Sequence, residues 1–158
     1  MKTKDITAFL SRKGYDSIPI CQNAVGLLLI TVKVNGIESL FILDTGAGNS
    51  VIDTKQASHL LLILQKDSAS FTGAGAGGQG IEVIPSKGNK IEIGNHIVRD
   101  FTFSVMSLEH ATQALTQAGA YEAFLGIIGV DILKPGKAII DYGAMTLYLL
   151  PGKIMHSE

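Results

Sequence analysis

An apolar run, Phe41-Ile42-Leu43, that ends on Asp44-Thr45-Gly46 and continues as Ala47-Gly48-Asn49-Ser50 constrains this chain more than any other stretch. The run reads as a strand built for burial, and the glycines after it turn the backbone sharply. Upstream, Asn35-Gly36 is a strong hairpin signal, because both central positions of a type I′ turn need positive φ. The apolar segment Val25 to Val34, read as a strand covered on both sides, therefore pairs with Ser39 to Leu43 and delivers Asp44 to the hairpin's far end. A carboxylate mounted there is held by a hydrogen-bonded ladder rather than by a loose loop, as acid–base work requires. The position predicts a buried acid. Burial penalises the charged form, and chains carry that cost mainly where the acid is useful.

Short strands continue downstream. Residues 81 to 84, 90 to 93 and 97 to 105 read as strands, with Gly94-Asn95 turning between the last two. Ala138 to Ile140 and Thr146 to Leu150 form a final hairpin around Tyr142-Gly143-Ala144. Helical patterns cover residues 5 to 13 and Ser107 to Ala118, and Asp53 with Gln56 has capping-box spacing for a short helix reaching about Leu62. Many short strands with one or two short helices predict an all-β, closed fold. A length of 158 residues fits one domain with a sizeable core.

Composition narrows the function classes. A net charge of −1 argues against electrostatic binding of nucleic acid or acidic lipid. The apolar runs are too short to span a membrane, and in a domain this apolar they point instead to an oligomer interface. Residues 1–5 lack the apolar core of a signal peptide, which predicts a cytoplasmic protein. Cys21 is the one cysteine, so no internal disulfide can form, and His59, His96, His110 and His156 show no ligand spacing. No metal or organic cofactor is expected.

Gly73-Ala74-Gly75-Ala76-Gly77-Gly78 has the spacing of a dinucleotide loop, but such a loop must lead into a helix. Here the exit, Ile81-Glu82-Val83-Ile84-Pro85, is β-type. Two other readings stand: a glycine-tipped hairpin that closes over substrate, and a plain surface loop.

The string from Phe41 to Val51 resembles the active-site loop of retropepsin-like aspartic proteases, the single-lobe retroviral-type relatives of pepsin. A second likeness lies in Gly126-Ile127-Ile128-Gly129-Val130-Asp131-Ile132-Leu133, where that family ends with two aliphatics, a glycine and a short helix. The lead-in from Leu10 to Ile20 resembles that of bacterial members, and the likeness spans residues 25 to 150. One departure is Gly48, where many relatives carry Ser or Asp that bonds to substrate backbone.

The resemblance implies a closed acid-protease barrel over residues 25–150, with a lead-in of residues 1–24 and a tail of residues 151–158. It implies an aspartic endopeptidase acting on a protein or peptide substrate. Asp44 would carry the chemistry, Thr45, Gly46 and Ala47 would shape the active-site loop, and Gly75, Ala76, Gly77 and Gly78 would form a substrate-binding flap. Ile127, Ile128 and Gly129 would support the loop from behind. Such chemistry needs two carboxylates on one water, and this chain has one Asp-Thr-Gly. Asp141-Tyr142-Gly143 superficially repeats it, but tyrosine replaces the small hydroxyl residue, and the family's acid here serves the fold. Asp131 and Asp53 read as helix caps. The second acid is therefore expected from a homodimer, with the apolar strand Leu147-Tyr148-Leu149-Leu150 as a further pairing edge. The alternative is a catalytically inactive module that keeps the fold for peptide binding or dimerisation.

Overall fold

The computed structural model describes residues 3–67, 71–75 and 78–152. The chain opens with α1 (Thr3–Arg12), β1 (Asp16–Pro19) and β2 (Cys21–Gln22), then β3 (Leu28–Val34), β4 (Ile37–Leu43) and β5 (Val51–Asp53). β6 (Phe71–Gly75), β7 (Gly78–Ile93) and β8 (His96–Met106) follow, then α2 (Glu109–Gln117), β9 (Gly126–Ile128), α3 (Val130–Leu133), β10 (Ile139–Asp141) and β11 (Thr146–Leu149). No helix among the described residues is long and apolar enough to cross a membrane.

The large sheet runs β2-β3-β4-β9-β5-β8-β7-β6, and β3 also pairs with β7. That pairing closes β3, β4, β9, β5, β8 and β7 into a barrel, so the fold is the closed, mostly β form expected. Asn35 (φ 50) and Gly36 (φ 84) both take the positive φ that the tight β3–β4 turn requires. β3 begins at Leu28 rather than Val25. Its first three residues are buried in succession, and burial then alternates toward Val34. Phe41, Ile52, Ile91, Phe103 and Ile128 fill the barrel interior without solvent contact. Each such side chain contributes roughly 1.5–3 kcal/mol of burial free energy.

Where two strands were expected over 81–84 and 90–93, β7 is continuous. Pro85 stays in register opposite Ser104, and Gly88 (φ 76) is absorbed by a register shift between Ser86 and Asn89. The buried Asn89 amide donates to the Ser86 and Phe101 carbonyls there, replacing the lost ladder bonds. The expected helix after Asp53 is only a 3-10 turn, Thr54–Gln56. The Asp53 N–H donates to the Leu125 carbonyl instead of closing a capping box.

The second sheet has the order β1-β11-β10. β11 is therefore its central strand, paired on both sides within one chain. The sequence expectation of a free C-terminal edge is corrected: β1, carrying Pro19, occupies it. The Tyr148 hydroxyl lies 2.7 Å from Thr7 Oγ1, which ties α1 to the same sheet.

Candidate active site

β4 places Asp44 where the barrel strand ends, and the neighbouring β9 fixes that end. β9 runs parallel to β4 in the register Leu43 with Ile128, and the Asp44 N–H donates to the Ile128 carbonyl at 3.0 Å. The turn then closes on itself. The Gly46 N–H donates to Asp44 Oδ1 at 2.8 Å, and the Ala47 N–H to the Asp44 carbonyl at 3.2 Å. A side chain on Gly46 would press on Asp44 Oδ1 at 3.1 Å.

The far side of the loop is anchored to α3. The Val130 N–H donates to the Ala47 carbonyl at 2.8 Å. A Cβ on Gly129 would lie 2.5 Å from that carbonyl, and one on Gly126 would meet the Val51 carbonyl and the Phe41 ring. Both glycines of Gly126-Ile127-Ile128-Gly129 are there for close approach. Ile128 and Gly129 are buried behind the loop and Ile127 partly so, in the supporting position expected of them.

Ser50 and Asp131 complete the brace. Ser50 is fully buried, and its N–H and Oγ donate to the two Asp131 carboxylate oxygens at 2.8 and 2.6 Å. The Gly129 N–H donates to Ser50 Oγ at 2.9 Å. Asp131 was expected to cap α3, but that helix has Gly129 at its N-cap and no side-chain cap bond. The carboxylate holds the Asp44 loop instead. The signal for this role was a lone hydroxyl entering an apolar strand and a lone acid leaving one. Asp53 does cap its 3-10 turn, accepting from the Lys55 N–H, and also from the Leu108 N–H ahead of α2.

Asp44, Thr45 and Gly46 are exposed in the single chain, and Ala47 is partly so. The expectation of a buried carboxylate is thus corrected: the strand is buried to Leu43, and the chain turns outward at the acid. The Thr45 hydroxyl has no partner among the described residues. Thr45 borders an apolar groove of about 460 Å³ formed with α3 and β10. Asp141 sits elsewhere, closing the β10–β11 hairpin, where its Oδ1 accepts from the Gly143 and Ala144 N–H groups at 2.8 and 3.0 Å.

β6 and β7 form the antiparallel hairpin expected of the glycine-rich stretch, with Gly75 opposite Gly78 at its tip. Ala76 and Gly77 lie outside the described residues. The strand after the glycines is β-type, so the helix a dinucleotide loop requires does not follow it. Among the described residues, no group of histidine, cysteine and acidic side chains could hold a metal ion.

A family model described as aspartyl protease matches residues 30–132. No curated protein matches in sequence. Among solved structures, a retropepsin-like aspartic protease from Rickettsia conorii is similar at TM-score 0.55 and 19% identity, covering 85% of this chain and 90% of that one. The EIAV protease complexed with the inhibitor HBY-793 gives 0.50 and 20%, covering 77% and 98%. The retroviral protease-like domain of Ddi1 from Leishmania major gives 0.50 and 18%, covering 82% and 98%.

Proposed function

Since the chain belongs to the aspartyl protease family and has its retropepsin-like fold, we propose that it is an aspartic endopeptidase working as a twofold homodimer, with Asp44 of each subunit facing one water. The observation that carries this reading is the mounting of Asp44. Its turn is fixed by β9 and α3, yet the carboxylate itself stays exposed. A lone exposed acid on so firm a support suits a group completed from outside the chain.

Two carboxylates roughly 3 Å apart cannot both ionise, and aspartic proteases are themselves the known case of such a pair sharing one proton. The ionised Asp44 takes a proton from the water as its oxygen attacks the scissile carbonyl carbon. The protonated Asp44 donates to the carbonyl oxygen, and a proton returned to the amide nitrogen lets the C–N bond break. The unpartnered Thr45 hydroxyl would bond across to the other loop. The β6–β7 hairpin, with Gly75, Ala76, Gly77 and Gly78 at its tip, would close over an extended peptide that pairs by backbone hydrogen bonds. The catalytic domain would be residues 25–150, and no metal or organic cofactor takes part.

The experiment is cleavage of an unfolded protein across the mildly acidic to neutral range by the wild-type chain and by Asp44→Asn. Cleavage by the wild type alone supports the reading, and equal cleavage by both defeats it. One observation favours the rival, a non-catalytic peptide-binding or dimerisation module. A side chain at Gly48 would meet nothing within 4 Å, so the loop lacks a substrate contact it has room for. Peptide binding without cleavage would establish that rival.

A further inference from the structure

We infer that Asn35 is a positioning residue: its side chain clamps both roots of the β6–β7 hairpin to the strand pair that carries Asp44, and so sets how the hairpin closes over a peptide. The inference rests on the reading above that an extended peptide binds beneath this hairpin, and names what holds the hairpin in place.

The β3–β4 turn does not itself need this side chain. A type I′ turn asks only for positive φ at its two central residues, which glycine supplies as well as asparagine. The Asn35 amide instead reaches two segments far apart in sequence. Its Nδ2 donates to the Leu60 carbonyl at 2.9 Å and to Asn89 Oδ1 at 3.0 Å, and its Oδ1 accepts from the Lys90 N–H at 3.0 Å. Leu60 lies on the chain that leads to β6, and its side chain is wholly buried in the core. Asn89 and Lys90 lie on β7, just past the shift that interrupts its pairing with β8. One amide therefore holds the arm that enters the hairpin and the arm that leaves it.

Backbone geometry gives each arm the same form. Leu61 (φ 57) directly follows Leu60, Gly88 (φ 76) directly precedes Asn89, and both are left-handed. Leucine takes that conformation only at a cost in free energy, and such strained residues gather at clamps and switches. On the hairpin side of these points the arms hold each other: the Gln65 N–H donates to the Pro85 carbonyl, and Leu64 bridges Ser86. On the barrel side, β7 pairs with β3 at Ile91 and Glu92. Asn35 extends that ladder by one rung. Its N–H donates to the Lys90 carbonyl at 2.9 Å, and Oδ1 takes the place of its own carbonyl, which the left-handed turn directs elsewhere.

β4 leaves this turn and ends at Leu43, one residue before Asp44. Hairpin and acid are thus referenced to a single strand pair. Weakening the joint leaves the acid mounted while the roots of the hairpin part. A hairpin that closes less often binds peptide more weakly in proportion, and the bound complex reacts as before. The signature is a raised KM with kcat retained.

The test uses the full chain and Asn35→Gly, which keeps the positive φ and removes the amide. Backbone amides of residues 71–75 and 78–83 should exchange about tenfold faster or more, because the root loses its side-chain bonds. Those of residues 126–128, beside β4, should keep their protection. KM for a peptide substrate should rise by a similar factor, with kcat held within about twofold. Asn35→Asp tolerates the left-handed turn and keeps an acceptor for Lys90, but it loses both donors. It decides the matter if Asn35→Gly does not fold: the Leu62 and Gln65 amides should exchange faster and the Lys90 amide should not. Asn23→Gly is the control, since Asn23 Oδ1 accepts from the Val25 and Leu27 N–H groups at 3.2 and 2.9 Å in the β2–β3 turn. Its loss should lower stability and move neither KM nor the hairpin amides. Hairpin amides no faster in Asn35→Gly than in the wild type overturn the inference, whether or not the chain cleaves. A lowered kcat at unchanged KM also overturns it, because a residue that merely keeps the chain folded acts in that way. A wild type that binds peptide without cleaving it defeats the protease reading alone; peptide affinity then replaces KM, and the exchange measurement still decides the joint. A chain that neither cleaves nor binds peptide overturns both.

Discussion

Asp44 and Asp141 begin the same local motif, and the fold leaves one exposed and buries an oxygen of the other. Each ends an apolar strand, each is followed two residues later by glycine, and in each the glycine N–H donates to the aspartate Oδ1 at 2.8 Å. At Asp141 a second N–H, from Ala144, joins the same oxygen, and Oδ2 is buried without a partner. At Asp44 the loop is braced from behind by Ile128, Val130 and the Ser50–Asp131 pair, so the side chain is exposed. An Asp-x-Gly turn therefore fixes only the backbone. Whether its acid serves the fold or stays free for chemistry depends on where the turn's other support comes from.

That contrast is broken most directly by exchanging effects. Asp44→Asn should lower cleavage by on the order of 10²–10⁴, the usual share of acid–base assistance. Its melting temperature should match the wild type, because the Gly46 N–H keeps an oxygen acceptor. Asp141→Ala should do the reverse. Losing two backbone bonds to a carboxylate oxygen costs roughly 0.5–1.5 kcal/mol for each bond, and more where the acceptor is ionised, read by chemical denaturation, while cleavage at a permissive temperature is retained. If Asp141→Ala instead abolished cleavage in a folded protein, the division of labour between the two turns would be wrong.

Next in size is the brace that makes the turns differ. Ser50→Ala removes the hydroxyl that joins Asp131 to Gly129, leaving the Asp131 carboxylate and the Gly129 N–H each short of one bond. A loss of about 1–3 kcal/mol is expected, together with weaker cleavage from a looser Asp44 loop. Combining it with Asp131→Asn should cost less than the sum of the single changes, because the two residues act on one network. Strict additivity would place Asp131 outside the brace.

How much of this was legible in the sequence divides along the same line. The Asp44 turn was visible because everything that forms it is local: an apolar strand, an Asn35-Gly36 hairpin and glycines. The barrel class was visible because short strands and turn residues alternate along the whole chain. The brace was hidden, since Ser50 and Asp131 stand 81 residues apart and no local pattern couples them. Pro85 and Gly88 concealed the continuity of β7, because the Asn89 network that repairs the break is tertiary. The apolarity of Leu147-Tyr148-Leu149 gave correct notice of burial but the wrong neighbour. β1 is only four residues long and contains Pro19, so it read as lead-in rather than as the strand that covers that edge. Exposure of Asp44 escaped for a related reason: strand periodicity says which residues are buried, not where the chain turns away from its core.

The smallest expected effect separates the two turns by pH. His96 is 4% exposed, and neither ring nitrogen has a hydrogen-bond partner among the described residues. A Cβ on Gly136 would meet both Leu149 and the His96 ring, so the imidazole lies against the sheet that carries Asp141. Burial pushes the imidazole below its ordinary value of 6.5, so the folded chain resists a proton that the unfolded chain accepts. The sign follows: the contribution of neutral His96 is complete above about pH 6.5 and is lost as pH falls below it, until the folded chain also protonates. Acidification should therefore loosen the His96 hairpin and the β1-β11-β10 sheet before it disturbs the Asp44 loop. Hydrogen exchange on either side of that pH should show amides of β11 losing protection while those of residues 128–130 keep it. His96→Leu should flatten the dependence. Equal loss of protection at both sites would mean that the two turns share one cooperative unit, and that their separate supports confer no separate stability.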